Sequence, residues 1–406
     1  MPMLPLRLDY SDVTFVAMIE FTTKCNLRCV YCNKSSDAEK FQKGIDLPEE
    51  YILATIQLLR MRGLSQIYPN RIGETTMRKG WEHICRKTLD TGIAHIIVTN
   101  LARLLTDDEV EVLARFATIQ VSVDTADQKL FSKIRRGANL PTVLENMERI
   151  QNSARQIGVR GPEFWFSMVV SDKTVHGLEE TVRLGIRNGV TGFYFSGMYK
   201  QKDITGAFNV YHVKTLPKPE LESALQSLES AIDLVRKSGC KADVHYGLLE
   251  SIRTAIPVSV QDKTSKIDTS SDEDPGWEST SVVETGLTRD CLDPWKFVLL
   301  CAQGEVRPCC AYDKPIGNIN DNPLHEVLNG TEVKVLRQNL LQGRLEGMMC
   351  AHCSMRNPIQ INQFRIKLKA FRIYGLCCRF LGHRVANWLR LTMAPLLGIQ
   401  MGDLQR

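Results

Sequence analysis

Apolar positions recur along this chain with two alternating periods. Val13–Phe21 is a nearly continuous apolar run and predicts a first strand. Asp46-Leu-Pro-Glu49 reads as a capping box with proline in the first turn, opening a helix whose inner face is Ile52, Ile56 and Leu59. A short strand at Ser65–Pro69 follows, then a helix with Trp81, Ile84, Cys85 and Thr88 on one face, and a strand over Ile93–Thr99. Thr106-Asp-Asp-Glu109 is a second capping box, leading a helix with Val110, Leu113 and Ala117. Thr118–Asp124 reads as a strand and Pro141–Ile157 as a helix. The strand Glu163–Val170, the helix Thr174–Asn188 and the strand Val190–Ser196 complete the series.

Six strands alternating with helices at roughly 25–35-residue spacing predict βα units and a parallel sheet. Topology at this level does not separate an open doubly wound sheet from a barrel. Beyond the series, Pro217–Gly239 predicts one more long helix and Lys241–Tyr246 a short strand. Ser259–Gly286 is rich in Ser, Thr, Asp and Glu, with little to bury, and reads as a loop or linker.

Composition narrows the class. The chain has 406 residues, 43% of them hydrophobic and 24% charged, as in an ordinary globular protein. Its thirteen cysteines are an odd number and cluster at 25–32 and 291–353, which suggests ligands in a reducing, cytoplasmic setting rather than a disulfide framework. The start, Met1-Pro-Met-Leu-Pro-Leu-Arg7, lacks the apolar core of a signal peptide. The formal net charge of +5 is unevenly spread: Ser354–Arg406 carries nine basic side chains against the single acid Asp403, so the rest is mildly acidic and gives no sign of nucleic-acid binding.

The chemistry starts where the first predicted strand ends. Cys25-x3-Cys29-x2-Cys32 places three thiols in one loop, enough to hold three irons of a [4Fe–4S] cube and leave the fourth open for an external ligand. Half of a zinc site is the alternative reading of the spacing. With Tyr31 just before the last cysteine, the segment resembles the signature of radical S-adenosylmethionine (radical SAM) enzymes. The resemblance implies a partial (β/α)6 TIM-type barrel, with the cluster loop after the first strand and the chemistry at the C-terminal strand ends. It also implies that the open iron chelates SAM, and that one electron splits SAM into methionine and a 5′-deoxyadenosyl radical that takes hydrogen from substrate.

The resemblance implies SAM contacts at Tyr31 and at further motifs. Gly73-Glu74 resembles the family's GGE-type motif, with Ile72 where the first glycine would stand. Ser122 and Asp124 resemble an S-x-D element at the end of the fourth strand. Asn100, closing the third strand, is a comparable candidate, and Arg135 stands where relatives pair an arginine with the SAM carboxylate. Met198, after the sixth strand, reads as core. No residue is assigned to the chemical step on substrate.

A second cysteine group resembles the SPASM/twitch extension of the same family: Cys291-x12-Gly304-x4-Cys309-Cys310, then Cys350-x2-Cys353. The next cysteine is Cys377, so the resemblance implies a shortened version with one auxiliary [4Fe–4S] cluster on Cys291, Cys309, Cys350 and Cys353. Cys310 competes with Cys309, and a zinc ribbon using His325 or His352 is the alternative. Cys301, Cys85 and Cys240 read as structural thiols, and Cys377-Cys378 is unassigned.

These readings divide the chain into a core at 10–245, a polar linker at 246–287, an auxiliary-cluster domain at 288–357 and a basic amphipathic tail at 358–406. The expected activity is reductive cleavage of SAM with hydrogen abstraction from a sugar-, nucleotide- or natural-product-type intermediate, helped by a reductant such as flavodoxin or ferredoxin. Two alternatives stand beside it: a peptide-modifying maturase, disfavoured by the short stretch before the first strand, and a non-catalytic Fe–S or zinc protein. In the tail, Arg365, Lys367, Lys369, Arg372, Arg379, Arg384 and Arg390 interleave with aromatic and aliphatic residues. Phe364–Lys369 alternates with period two and the remainder is closer to helical. The segment suits either peripheral contact with an anionic membrane or packing back on the acidic body, the latter being favoured.

Overall fold

The computed structural model describes residue 8 and residues 16–32, 44–198, 208–245, 247–256, 286–312, 314–353 and 355–375. In chain order the strands are β1 (Val16–Ile19), β2 (Arg28–Cys29), β3 (Gln66–Tyr68), β4 (Ala94–Thr99), β5 (Thr118–Ser122), β6 (Arg135–Arg136), β7 (Glu163–Val170), β8 (Val190–Gly197) and β9 (Lys241–Val244), then β10 (Leu287–Arg289), β11 (Phe297–Leu300), β12 (Glu305–Arg307), β13 (Gly317–Asn318) and β14 (Pro358–Gln360). The described residues fall into two compact units. One is drawn from Met1–Lys24, Gly44–Ile96 and Ser279–Arg406, the other from Cys25–Lys43 and Ile97–Glu278.

In the first unit β3 pairs in parallel with β1 and with β4. The other side of β1 is taken by β11, also parallel, in the register Val16↔Phe297 to Ile19↔Leu300. Antiparallel β12 and β13 continue outward. The C-terminal region therefore completes the environment of the first strand. A ribbon of β10 and β14 and the helix Thr331–Gln342 complete this region around a core of Leu292, Trp295, Leu336, Leu340, Phe364, Leu368 and Phe371.

In the second unit β5, β7, β8 and β9 pair in parallel in chain order. Within neither unit does the order of the βα strands reverse, whereas a doubly wound sheet requires a reversal. The fold is α/β with a parallel-strand sheet, as expected. β7 alternates half-buried and buried positions along all eight residues, with Phe164, Phe166, Met168 and Val170 inward.

The helices follow the predicted faces with four departures, one being Ala117, which lies beyond the helix Asp107–Ala114 and is exposed. Glu49–Arg60 buries Ile52, Ile56 and Leu59, but its N-cap is Pro48 with no side-chain cap. Asp46, the expected cap, instead accepts from Thr22 Oγ1 and Lys24 Nζ, each at 2.6 Å. The second capping box, Thr106 with Glu109, forms as predicted. Gln128–Ile134 is a helix that periodicity did not reveal, since seven residues are too few to display it. Leu248–Ala255 is a helix at the start of the span read as linker, and residues 257–285 lie outside the described ones.

The tail reading divides in the same way. Residues 361–375 are helical and bury Phe364, Leu368 and Phe371 in the C-terminal core. The three- and four-residue spacing of these apolar positions overrides the period-two alternation of Phe364–Lys369. Each buried aromatic ring contributes roughly 2 kcal/mol by removal from water. Lys367 Nζ meets Asp290 at 2.7 Å, so this basic residue is paired with the body. Arg379, Arg384, Arg390 and Cys377-Cys378 lie outside the described residues. No helix among the described residues is long and apolar enough to cross a membrane.

Candidate functional site

The first cysteine loop leaves β1 and is fixed at its far end by a two-stranded antiparallel ribbon, β2 with β6, that sets Cys29 opposite Arg135. The Val30 amide donates to the Ile134 carbonyl at 2.9 Å, extending the clamp. Gly137, with φ of +97°, turns the chain away against the loop; a Cβ there would sit 3.4 Å from the Asn26 carbonyl oxygen. Val30 and Tyr31 rest on an apolar floor of Ile134, Met198 and Val210, which accounts for Met198 as packing.

Cys25, Cys29 and Cys32 are all half-buried and close enough to influence one another electrostatically. Burial pushes the Cys29 thiol up to about 11; Arg135 works against this, while Asp124 and the other two thiols work with it. Irons of a cluster would supply the positive charge that favours a thiolate at Cys29. Among the described residues no three Cys, His, Asp or Glu side chains surround a single point as ligands of one metal ion. A cube takes one sulfur per iron, so its thiols stand around a volume rather than a point. Three cysteine sulfurs on one loop are the donor set that a [4Fe–4S] cluster takes. The Leu27 amide donates to Cys25 Sγ at 3.4 Å, and Asn100 Nδ2 lies 3.9 Å from the same sulfur.

The other predicted contacts take these positions. Asn100 closes β4 and donates to Asn26 Oδ1 at 2.9 Å, so the loop brings in Asn26, which its bare sequence did not mark. Ser122, the last residue of β5, is half-buried and in register with Ser167 of β7. Asp124 has no exposed surface and accepts four hydrogen bonds, from Tyr31 Oη, Arg135 Nε, Arg135 Nη2 and the Val169 amide. Burial raises the Tyr31 phenol well above its usual range. Arg135 opposes that rise and Asp124 adds to it, so Tyr31 stays protonated as a donor.

Gly73 and Glu74 belong to the first unit. A Cβ at Gly73 would come within 2.0 Å of the Thr22 carbonyl oxygen and 2.9 Å of that of Lys24, so close backbone approach demands glycine. The Glu74 amide donates to the Lys24 carbonyl at 2.7 Å, tying this turn to the residue preceding Cys25. Glu74 is buried, and its Oε1 caps the turn Thr75–Met77 through the Thr76 amide and hydroxyl. Ile72, in place of a glycine, donates its amide to Glu20 Oε1 at 3.0 Å. Glu20 is a missed residue: buried, it also accepts from the Ala302 amide at 3.1 Å. Its signal was a lone carboxylate at the end of an apolar strand.

The second cysteine group is assembled from three segments of the first unit. Cys291 and Cys309 influence each other, as do Cys310 and Cys353, and Cys350 and Cys353. Burial, with Asp293 next, pushes Cys309 up to about 12. Cys309 is half-buried and Cys310 exposed. Two arginines that the sequence did not single out hold the turn. Arg289 is buried and donates to the carbonyls of Cys350, Ala351 and Arg356. Arg356 pairs with Asp293 at 3.0 Å. Cys301 and Cys85 are fully buried and Cys240 half-buried, consistent with structural thiols.

A profile of the radical SAM superfamily matches residues 19–197, and that of the SPASM iron–sulfur cluster-binding domain matches residues 291–354. GTP 3′,8-cyclase of Pelotomaculum thermopropionicum is 30% identical over 132 residues, covering 32% of this chain and 40% of that protein. The tungsten-containing aldehyde ferredoxin oxidoreductase cofactor-modifying protein of Pyrococcus furiosus is 25% identical over 193 residues, 44% of this chain and 50% of that one. The chain thus spans about two fifths to half of the length of these curated relatives. In fold it is similar to Streptococcus suis SuiB bound to precursor peptide SuiA, with a TM-score of 0.55 at 16% identity over 80% of this chain and 67% of that one.

Proposed function

We infer that this chain is a radical SAM enzyme carrying a SPASM iron–sulfur domain, and that it cleaves SAM reductively to abstract hydrogen from a sugar-, nucleotide- or natural-product-type biosynthetic intermediate. The observation that carries this reading is the clamped loop: three half-buried thiols, with Cys29 under the influence of both Cys25 and Cys32, fixed by β2 and β6. A reduced [4Fe–4S] cluster, when bound, supplies the electron that splits SAM into methionine and a 5′-deoxyadenosyl radical.

The chain's own residues do the rest. Cys25, Cys29 and Cys32 hold three irons, and the local backbone approach at Gly73 and Glu74 offers acceptors for the SAM ammonium group. Asn100 steadies the loop through Asn26. Ser122, at a strand end, is placed for a polar contact to SAM. Cys291, Cys309, Cys350 and Cys353 hold one auxiliary cluster. The nucleotide-type substrate is supported by the similarity to GTP 3′,8-cyclases over about a third of this chain. A peptide substrate is the second reading, supported by a shared fold with SuiB in complex with its precursor peptide.

Anaerobic incubation with SAM and dithionite tests the first step: release of 5′-deoxyadenosine is expected, and its absence from cluster-loaded protein overturns the reading. Perdeuterated nucleotides, sugars and peptides then separate the substrates by which one passes deuterium into 5′-deoxyadenosine.

A further inference from the structure

Sequence resemblance placed Tyr31, Asp124 and Arg135 among the SAM contacts, yet their polar groups are turned toward one another. Asp124 uses both carboxylate oxygens twice: Oδ2 accepts from Tyr31 Oη at 2.8 Å and Arg135 Nε at 2.8 Å, and Oδ1 from Arg135 Nη2 at 3.0 Å and the Val169 amide at 2.9 Å. The Arg135 side chain is 9% exposed and that of Asp124 not at all. The guanidinium also lies 5.5 Å from the centre of the Tyr31 ring. All three residues frame the cysteine loop, since Tyr31 lies between Cys29 and Cys32 and Arg135 faces Cys29 across the ribbon.

We propose that the Asp124–Arg135 ion pair is a positioning and charge-balancing element of the first cysteine loop, with Tyr31 as its tether, rather than a set of SAM contacts. The proposal rests on the reading that Cys25, Cys29 and Cys32 hold an iron–sulfur cluster. The pair places one positive and one negative charge beside a thiolate-ligated, anionic group, in surroundings with little water to screen them. Arg135 favours additional negative charge there and Asp124 disfavours it, so the intact pair nearly cancels. Removing either partner leaves the other as an uncompensated buried charge. The two deletions therefore act on the electron affinity of the cluster with opposite sign, which a purely structural clamp would not produce.

The test is an EPR-monitored redox titration of full-length, reconstituted protein, following the signal that disappears when Cys25, Cys29 and Cys32 are all changed to alanine. Asp124→Asn should raise the midpoint and Arg135→Gln should lower it, each by at least a tenfold change in the reduced-to-oxidised ratio, ~59 mV for a one-electron couple. Asp124→Asn combined with Arg135→Gln should return close to wild type, and Arg135→Lys, which keeps the charge, should shift the ratio less than about threefold. Shifts in the same direction, no shift, or an Arg135→Lys effect as large as that of Arg135→Gln would overturn the proposal. If the single-charge variants lose the signal, its retention in the double variant supports charge balance and its loss there refutes it. A wild-type protein without any signal dependent on Cys25, Cys29 and Cys32 defeats the cluster reading instead, so the two failures are distinguishable.

Discussion

Cys25, Cys29 and Cys32 come from a single turn of chain, whereas Cys291, Cys309, Cys350 and Cys353 are gathered from three separate segments. The first group is oriented locally, by a ribbon of two residues a side and a buried ion pair whose charges offset each other. The second depends on its domain: Arg289 holds three carbonyls around the Cys350 turn, and Cys350 packs on a core that includes Trp295, Leu340 and Phe364. Arg356 and the buried Lys296 add positive charge there against Asp293. A loop that must leave one coordination position open can be short and rigid. A closed set of four ligands can afford to be distributed, because the folded domain supplies its geometry.

The largest expected effect separates the two groups outright. Changing Cys25, Cys29 and Cys32 together to alanine should abolish 5′-deoxyadenosine formation and lower iron from about eight to about four per chain. Cys350→Ala should also remove about four irons, yet leave SAM cleavage measurable in the absence of substrate. Iron assays paired with product chromatography check both, and SAM cleavage surviving in the triple variant would erase the distinction.

Next in size are changes to the supports. Phe364→Ala should cost about 3–5 kcal/mol in urea unfolding, from lost burial and the cavity left behind. Arg289→Met should cost on the order of 3 kcal/mol by orphaning buried carbonyls, and should lower occupancy of the second cluster without touching the first. The smallest effect concerns the adjacent pair. Cys309→Ala should damage the second cluster while Cys310→Ala, at the exposed thiol, leaves iron near wild type; the reverse outcome would move the ligand by one residue.

What could be read from the sequence follows the same division. The strand Glu163–Val170 and the Thr106–Glu109 capping box are local patterns, and each emerged as predicted. Asp46 was misread as a helix cap because its tertiary partners, Thr22 and Lys24, lie more than twenty residues away. The Asp124–Arg135–Tyr31 network was visible only as three polar residues near strand ends. Nothing in their spacing says that their side chains face each other. Arg289 and Glu20 were passed over for the same reason: a buried charge is identified by what surrounds it, and its neighbours come from distant segments.

One of those distant pairings bears on how the chain is made. Glu20 and Ala302 are 282 positions apart, and β1 lies between β3 and β11. During synthesis β1 emerges and then waits while β3 to β10 are made before its second neighbour exists. Loop closure over such a distance is slow, and an apolar strand with a bare edge is prone to pair with the wrong partner. The ribosome thus releases β1 long before β11 exists, and a strand made much later is the one that shields it.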